Sequence, residues 1–188
     1  MTSMERVKNQ DIILCLVAHT HWDREWYLAF EEYRFQLVSL IDKLVNILER
    51  DHRFNNFMLD GQTIVLEDYL EVKPSMEIKM RKLVASKKIS VGPFYILPDE
   101  FLQGPEAHVR NLLLGDKIAG KFGHCMKVGY LPDPFGHIAQ LPQILDGFNI
   151  DTVVFMRGMG EQIDYLDGEF KWLASDGKTS VLAINLYL

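Results

Sequence analysis

The sequence predicts an α/β fold: a mostly parallel β-sheet, or an incomplete β/α barrel, with flanking helices and a hairpin-like strand pair at its end. Short apolar runs typical of buried strands alternate with longer segments whose apolar residues recur at the helical period. Strands that alternate with helices form parallel sheets, because the chain must cross back before the next strand begins. Near the end, Asp176-Gly177 separates two apolar runs, which is typical of a hairpin.

The individual elements follow from these local patterns. Residues 12–18 form an unbroken apolar run, which predicts a strand buried on both faces. Residues 31–50 form a long helix, because apolar side chains between Leu37 and Leu48 fall on one stripe of helical period. Further strands are predicted at 56–59, 89–96, 127–131 and 152–156, further helices at 63–72, 76–86, 105–122 and 139–148, and a hairpin of 169–174 with 179–188.

Length and composition exclude several classes of protein. The chain has 188 residues, of which 48% are hydrophobic, so it can bury the core of a domain and is not disordered. Its net charge of −6 disfavours a nucleic-acid partner, which requires clustered Lys and Arg. No apolar run reaches the roughly 20 residues of a membrane-spanning helix, and the two cysteines make no disulfide framework. We therefore expect a cytoplasmic protein with no membrane partner.

Four loops that follow predicted strands carry the side chains best suited to chemistry. Ligands of α/β proteins bind beyond the carboxyl ends of parallel strands. The loops at residues 19–26, 98–104, 133–137 and 157–160 occupy such positions and contain histidine, acidic, aromatic and arginine side chains. Their coincidence predicts one active site at this edge of the sheet.

The first loop contains the pattern H-x-H-x-D at residues 19–23. If the strand continued through it, His19, His21 and Asp23 would point to one side. Imidazole nitrogen and carboxylate oxygen both bind Zn²⁺, so His21 and Asp23 could hold one ion together. The alternative is a polar strand end whose histidines form local hydrogen bonds.

The third loop places Asp133 between Pro132 and Pro134. Both prolines restrict the backbone on either side of this carboxylate and fix its direction. A catalytic nucleophile needs such fixed positioning. An ordinary turn, in which Asp133 accepts backbone N–H bonds, explains the same sequence equally well.

Two further charged residues lie on these loops. Asp99, next to Glu100, could bind sugar hydroxyls or a metal ion, or belong to a solvated loop. Arg157 follows the strand at 152–156 and could pair with Asp133, or form an unrelated surface salt bridge.

Aromatic residues accompany the candidate ligands. Trp22, Trp26 and Phe135 lie beside them in the sequence, and we expect these rings to be exposed. An aromatic face next to polar groups is suited to stacking on a sugar ring, although most tryptophans pack in cores.

Three separated motifs together resemble one family. They are HTHWDREW near the start of the chain, GYLPDPFGHIAQLPQIL in its second half, and FMRG after that. In this order they are similar to the H-x-D ligand pair, the D-x-F-G nucleophile loop and the following arginine of glycoside hydrolase family 38 α-mannosidases of bacterial type. The resemblance covers nearly the whole chain and implies that residues 1–188 are the N-terminal part of that family's catalytic α/β domain.

The resemblance implies a role for each candidate residue. His21 and Asp23 would be Zn²⁺ ligands, and Asp133 would be both a Zn²⁺ ligand and the catalytic nucleophile. The implied substrate-binding residues are Trp26, which would stack on the mannose ring, Phe135, Arg157 and, more weakly, Asp99. The implied reaction is retaining hydrolysis of a mannose-containing glycan or mannoside, with the metal binding sugar hydroxyls.

The chain departs from the family pattern in one respect. The family's acid/base aspartate and its fourth metal ligand, a histidine, lie beyond position 188, as do its β-rich domains. An apolar strand with no polar tail, ending at Asn185-Leu186-Tyr187-Leu188, is also typical of the interior of a longer chain. We therefore expect this chain alone not to hydrolyse mannosides and to bind Zn²⁺ weakly. A homo-oligomer is compatible with the sequence.

Two other functions are compatible with parts of the sequence. A metallo-β-lactamase-like hydrolase would use the pattern H-x-H-x-D-H, but Arg24 stands where its last histidine belongs, and the Asp133 loop is left unexplained. A non-catalytic carbohydrate-binding module would bind a glycan without cleaving it.

Overall fold

The computed structural model describes residues 15–186. In this part of the chain the strands are β1 (His19–Thr20), β2 (Phe57–Leu59), β3 (Ile89–Ser90), β4 (Gly129–Leu131), β5 (Thr152–Phe155), β6 (Glu169–Leu173) and β7 (Ser180–Asn185). The helices are α1 (Phe30–Arg50), α2 (Ile64–Val72), α3 (Glu77–Ala85), α4 (Pro105–Lys121) and α5 (Leu141–Asp146), with short 3-10 helices at Pro74–Met76, Glu100–Leu102 and Glu161–Asp164. Every helix within residues 15–186 is too short or too polar to span a bilayer.

The strands form two sheets. The first has the order β1–β2–β3, and all its strands are parallel. The second has the order β4–β5–β7–β6, in which β4, β5 and β7 are parallel and β6 is antiparallel to β7. The predicted α/β fold with a mostly parallel arrangement and a final strand pair is therefore confirmed.

Each sheet has its own hydrophobic core. The first core is formed by α1, α2, α3 and the C-terminal half of α4, and the second by α5 and the strands of the second sheet. Helix α4 contributes to both, because Ile118 and Ala119 belong to the first core and Leu112 to the second. This shared helix holds the two sheets side by side.

Helix α1 follows its predicted bounds within one residue. Its apolar stripe is buried against the first sheet through Leu37, Ile41, Leu44, Val45 and Leu48. At its start, the carboxylate of Glu32 accepts a hydrogen bond from the backbone N–H of Ala29 at 3.2 Å. This bond satisfies a backbone donor just ahead of the first turn, whose acidic residues also suit the positive end of the helix dipole.

The hairpin of β6 and β7 also forms where the sequence predicts it. The carboxylate of Asp176 accepts the backbone N–H groups of Lys178 and Thr179, both at 2.9 Å, and so closes the turn. Residues 187–188, the end of the predicted strand, lie outside the described residues. The helix predicted at 139–148 is shorter and covers Leu141–Asp146.

The predicted first strand is wrong for the part that the structure describes. Residues 12–14 lie outside the described residues, residues 15–18 are not in a strand, and Leu16 and Val17 are exposed. Pairing begins where the N–H of Met58 donates to the carbonyl of Ala18 at 2.9 Å, and β2 is only three residues long. The partner strand, rather than the apolar run, therefore sets where β1 lies.

The predicted strand at residues 89–96 is also wrong beyond Ser90. Pro93 has no N–H to donate, and the side chain of Asn111 on α4 accepts hydrogen bonds from the N–H groups of Tyr95 and Ile96 at 2.7 and 3.1 Å. Helix α4 can come this close because residue 115 is a glycine. A Cβ at this position would lie 2.1 Å from the carbonyl oxygen of Pro93. The side chain of Asn111, rather than a neighbouring strand, therefore accepts the backbone N–H groups of Tyr95 and Ile96.

Candidate active site

The loops that follow β1, β4 and β5 meet around one cleft of about 860 Å³. The cleft is lined by every site residue that the sequence predicts: His21, Asp23, Trp26, Asp99, Asp133, Phe135 and Arg157. The fold therefore brings together loops that lie about 110 positions apart in the chain. The catalytic, metal-binding and substrate-binding roles of these residues stay predictions.

His21 lies between the two candidate carboxylates. Its Nε2 atom is 3.6 Å from Oδ1 of Asp23 and 3.8 Å from Oδ2 of Asp133. Both distances exceed a hydrogen bond, so the three groups face one another without bonding directly. Each side chain is between one third and about one half exposed, and the group is open to the cleft.

The other ring nitrogen of His21 is held by a residue that the sequence analysis missed. Asp60 follows β2, has no exposed surface, and has both carboxylate oxygens 3.3 Å from Nδ1 of His21. The same carboxylate accepts hydrogen bonds from the N–H of Trp22 at 2.6 Å and from the amide of Gln62 at 3.0 Å. A hydrogen on Nδ1 leaves Nε2 with its lone pair toward Asp23 and Asp133.

Hydrogen bonding and burial both shift the pKa values of His21 and Asp60. The hydrogen bond to Asp60 raises the pKa of His21, against the opposing effect of burial. Burial raises the pKa of Asp60, while its bonds to His21, Trp22 and Gln62 act in the opposite direction. Asp60 is thus a buried acceptor that depends on its donors, which is how a carboxylate is retained in a protein interior.

Arg157 holds Asp133 through the carboxylate oxygen that does not face His21. Its Nη2 atom lies 2.5 Å from Oδ1 of Asp133, which makes the two side chains a close ion pair. Its Nε and Nη2 atoms also donate to the backbone carbonyl of Asp133 at 3.3 and 3.0 Å. The predicted pairing of Arg157 with Asp133 is therefore present, and it fixes both the backbone and the carboxylate of this residue.

Aromatic rings form part of the cleft wall. Trp26 and Phe135 are 74% and 72% exposed, and the Arg157 guanidinium lies 4.5 Å from the centre of the Phe135 ring. The expectation that Trp22 is exposed is wrong. Its side chain is buried and packs edge-on against Tyr33, because its backbone is tied to Asp60 beneath the loop.

Asp99 lines the cleft and also contacts the Asp133 loop. Its Oδ1 atom accepts a long hydrogen bond, 3.4 Å, from the backbone N–H of Phe135. The adjacent Glu100 turns inward and is completely buried. The two neighbouring carboxylates therefore have different surroundings, which the sequence analysis did not separate.

The donor set suits a metal ion only in part. A neutral imidazole nitrogen with two carboxylate oxygens is suitable chemistry for Zn²⁺. Within residues 15–186, however, no group of three His, Cys, Asp or Glu side chains is arranged to hold an ion. His21, Asp23 and Asp133 supply suitable atoms around a shared gap but do not enclose it.

Comparison with known proteins identifies the family of this site. The family described as Glycosyl hydrolases family 38 N-terminal domain matches residues 11–188. The chain belongs to this family. The loops that meet in the cleft all lie within the residues matched to the family 38 domain.

Two relatives are 41% identical to this family 38 chain. One is a putative mannosylglycerate hydrolase from Halalkalibacterium halodurans, aligned over 185 residues that cover 92% of this chain and 21% of the relative. The other is the crystal structure of an alpha-mannosidase from Enterococcus faecalis, with a TM-score of 0.86, covering 90% of this chain and 19% of the other. The chain thus spans about a fifth of the length of these relatives.

A more distant solved structure shares the fold alone. The 4-alpha-glucanotransferase from Thermococcus litoralis aligns with a TM-score of 0.62 at 17% identity, covering 81% of this chain and 25% of the other. The α/β arrangement of the family 38 domain therefore extends to proteins with little sequence in common.

The buried residues that hold the site, Asp60, Glu100 and His137, were not predicted from the sequence. Asp60 carries a signal that could have found it, since it directly follows a predicted strand, as Asp133 nearly does. His137 belongs to the quoted G-H pair after Phe135, but no pattern indicates its partner Glu100, which lies 37 positions away. Such long-range pairing is not encoded in local spacing.

The metallo-β-lactamase-like alternative gains no support from the geometry. Arg24, at the position of the absent histidine, donates to both carboxylate oxygens of Asp68 at 2.6 and 2.8 Å. It is therefore engaged with α2, and no further histidine joins His21 in the described cleft lining.

Proposed function

We propose that this chain is the N-terminal part of the catalytic domain of a retaining α-mannosidase. The observation that carries the proposal is the convergence of two loops: Asp133, clamped by Arg157 at 2.5 Å, faces His21 and Asp23 across one open cleft. Membership of glycosyl hydrolase family 38 and the mannoside-hydrolysing names of its relatives support this choice.

Asp133 is the proposed nucleophile. Its carboxylate attacks the anomeric carbon of mannose, the bond to the leaving group breaks, and water later releases the sugar. Arg157 stabilises the negative charge of the attacking carboxylate and keeps it in one orientation. The reaction also requires a second carboxyl group about 5–5.5 Å away as acid and base. We assign that role to no residue of this chain.

His21, Asp23 and Asp133 are the proposed ligands of one Zn²⁺ ion. The buried Asp60 supports this assignment, because it holds Nδ1 of His21 and directs Nε2 toward the two carboxylates. When bound, the ion would supply a Lewis acid that orients the sugar hydroxyls.

Trp26 and Phe135 are the proposed walls of the sugar site. Both rings are largely exposed in the cleft, and an aromatic face stacks on the apolar face of a sugar ring. Asp99 is a further candidate for contact with sugar hydroxyls. Mannosylglycerate is one mannoside to test, because a 41% identical relative carries the name of its putative hydrolase.

The proposed nucleophile can be tested without the acid/base residue. A mannosyl fluoride with a second fluorine on the ring has a good leaving group, so it can label a nucleophile without a general acid. We expect intact-mass measurement to detect one fluorinated hexosyl group on the chain, with peptide mapping to Asp133. The step forms an ester to the anomeric carbon and releases fluoride.

Two variants make the labelling decisive. Asp133→Asn removes the nucleophile and must abolish the added mass. Asp176→Asn, in the exposed hairpin turn, changes a carboxylate far from the cleft and must leave labelling intact. Labelling of Asp133→Asn, or retention of mannosides by a chain that is never labelled, would favour a different nucleophile or a non-catalytic carbohydrate-binding module.

The metal assignment has its own test. Calorimetric titration with Zn²⁺ should give one weak site in the wild-type chain and a further loss of affinity in Asp23→Ala. Equal Zn²⁺ affinity in the two proteins would remove Asp23 from the ligand set. The cytoplasmic location and the absence of a nucleic-acid partner stay predictions from composition, as does any homo-oligomer.

A further inference from the structure

A buried acid–histidine pair lies directly behind the Asp133 loop. Oε1 of Glu100 is 2.7 Å from Nδ1 of His137, and the two side chains are 0% and 7% exposed. Neither residue lines the cleft, so neither is positioned to touch a bound sugar. A polar pair this deeply buried is retained only when its hydrogen bonds are satisfied.

Glu100 is fixed on both its side chain and its backbone. Its Oε2 atom accepts the N–H of Ile138 at 2.8 Å, which ties it to the far end of the Asp133 loop. Its backbone carbonyl lies 3.0 Å from Nε2 of the buried His108 on α4. The backbone of Glu100 is thus anchored to the helix that joins the two cores.

The second ring nitrogen of His137 faces the residue that holds Asp133. Its Nε2 atom is 2.9 Å from the backbone carbonyl of Arg157, and a carbonyl can only accept, so Nε2 carries the hydrogen. The next residue, Gly158, has φ +99°, and a Cβ there would lie 2.7 Å from this Nε2. The chain therefore passes close over the ring with no room for a side chain.

The contacts form one continuous series that ends at the proposed nucleophile. Glu100 holds His137, His137 holds the Arg157 backbone, and the Arg157 guanidinium grips Asp133. The packing of the His137 ring does not by itself require a hydrogen-bond donor at this position. The His137 ring also contacts Phe155 and Trp172, with centroid distances of 4.5 and 5.5 Å, contacts that a phenylalanine could largely supply.

We propose that Glu100 and His137 are positioning residues that fix the Arg157 backbone and thereby hold its guanidinium on Asp133. The effect of these residues on catalysis rests on the proposed role of Asp133 as the nucleophile. The contacts from Glu100 to Asp133 do not depend on hydrolysis. His137 acts through its Nε2 hydrogen, and Glu100 acts by holding the ring in the orientation that presents it.

Nuclear magnetic resonance of the full chain tests the proposal directly. In the wild type, ¹⁵N-labelled histidine should show a hydrogen on Nε2 of His137 that exchanges slowly with solvent. The Nε–H of Arg157 should also be protected, because it points at the Asp133 carbonyl. Absence of the hydrogen from Nε2 would overturn the proposal in the wild-type protein, without any variant.

Matched variants separate the hydrogen bond from the ring. His137→Phe keeps an aromatic ring against Phe155 and Trp172 but removes the donor, and we expect Arg157 Nε–H exchange to accelerate about tenfold. His137→Gln can place an amide N–H where Nε2 lies and should restore most of the protection. Equal exchange rates in His137→Phe and the wild type would overturn the proposal.

Glu100→Gln tests the other member of the pair. A glutamine can accept the Ile138 N–H with its oxygen and donate to Nδ1 with its amide, which leaves the hydrogen on Nε2. We expect Arg157 protection within about twofold of the wild type. Protection lost in Glu100→Gln, with the fold intact by circular dichroism, would overturn the role assigned to Glu100.

The outcomes also separate this inference from the proposed function. If the contacts are present but Asp133 is never labelled by the mannosyl fluoride, the mannosidase proposal fails and the positioning pair stands. If Asp133 is labelled equally fast in wild type and His137→Phe, with unchanged Arg157 exchange, the positioning pair fails and the nucleophile stands.

Discussion

The cleft has two walls: the loop that contains His21 forms the first, and the loops that contain Asp133 and Arg157 form the second. The two walls hold their candidate site residues in different ways. On the first wall, His21 is held by Asp60, a single carboxylate with no exposed surface that also accepts the Trp22 N–H. On the second wall, Asp133 is held by Arg157, whose side chain is 45% exposed and whose backbone is fixed in turn by His137.

The difference shows where each wall obtains its rigidity. The first wall concentrates several hydrogen bonds on one buried group, so its geometry and the stability of the fold depend on the same atoms. The second wall distributes its contacts over a series that runs from Glu100 through His137 to Arg157 and Asp133. The last two side chains are each about half exposed to solvent. Changes at Asp60 should therefore destabilise the fold, while changes at Arg157 should disturb the site and spare the fold.

The largest effect is expected for Asp60→Ala. The substitution leaves the buried Trp22 N–H without its acceptor and removes one of the two acceptors of the Gln62 amide. We expect the free energy of unfolding in urea to fall by about 3 kcal/mol. Asp23→Ala, which removes a carboxylate that is 47% exposed, is the matched control and should change it by less than about 0.5 kcal/mol. Equal losses in the two variants would contradict the comparison.

The second wall is most vulnerable at its backbone. Gly158→Ala must place a Cβ 2.7 Å from Nε2 of His137 and 3.2 Å from the Pro134 carbonyl, at a φ of +99°. We expect a loss of about 2 kcal/mol in the free energy of unfolding. Gly177→Ala also has a positive φ but meets no atom within 4 Å, so its loss should be only about 1 kcal/mol. If Gly177→Ala lowers the free energy of unfolding as much as Gly158→Ala does, crowding against His137 is not the cause of the loss at position 158.

Arg157→Gln should separate function from stability. Its bond to Asp133 joins two groups that are each about half exposed, and such pairs contribute little to folding. We expect the free energy of unfolding to change by less than about 1 kcal/mol. The rate of labelling by the mannosyl fluoride should fall about tenfold, because Asp133 loses its fixed orientation. Unchanged labelling would show that the guanidinium does not position the nucleophile.

The smallest effect concerns Asp176, an exposed counterpart of Asp60. The Thr179 hydroxyl, followed by the N–H groups of Lys178 and Thr179, lowers the pKa of Asp176. A lowered pKa means that this carboxylate stabilises the fold above its ordinary range and loses that effect as the pH falls through the lowered value. The melting temperature of Asp176→Ala should therefore lie slightly below that of the wild type at neutral pH and approach it as the pH falls through the lowered pKa of Asp176. A difference that persists in acid would exclude the carboxylate charge as its cause.

Local patterns in the sequence predict a large part of this molecule. Helix α1 begins within one residue of its predicted start, because its stripe of apolar side chains repeats within a few turns. The place of Asp133 after β4 follows from the order of strands and helices. Where the deciding partner is remote, prediction fails: the sequence predicts a strand up to residue 96, but the N–H groups of Tyr95 and Ile96 bond the Asn111 side chain on α4.

The sequence by itself determined the α/β alternation and the closing hairpin, because each depends on residues that are neighbours in the chain. Its motifs also indicated seven of the side chains that line the cleft. Only the tertiary structure decided how those side chains are held. Asp60 lies 39 positions from His21, and Glu100 lies 37 from His137, so these bonds exist only after the sheets and α4 have packed. Burial makes a hydrogen bond both necessary and specific, and burial is a property of the folded chain.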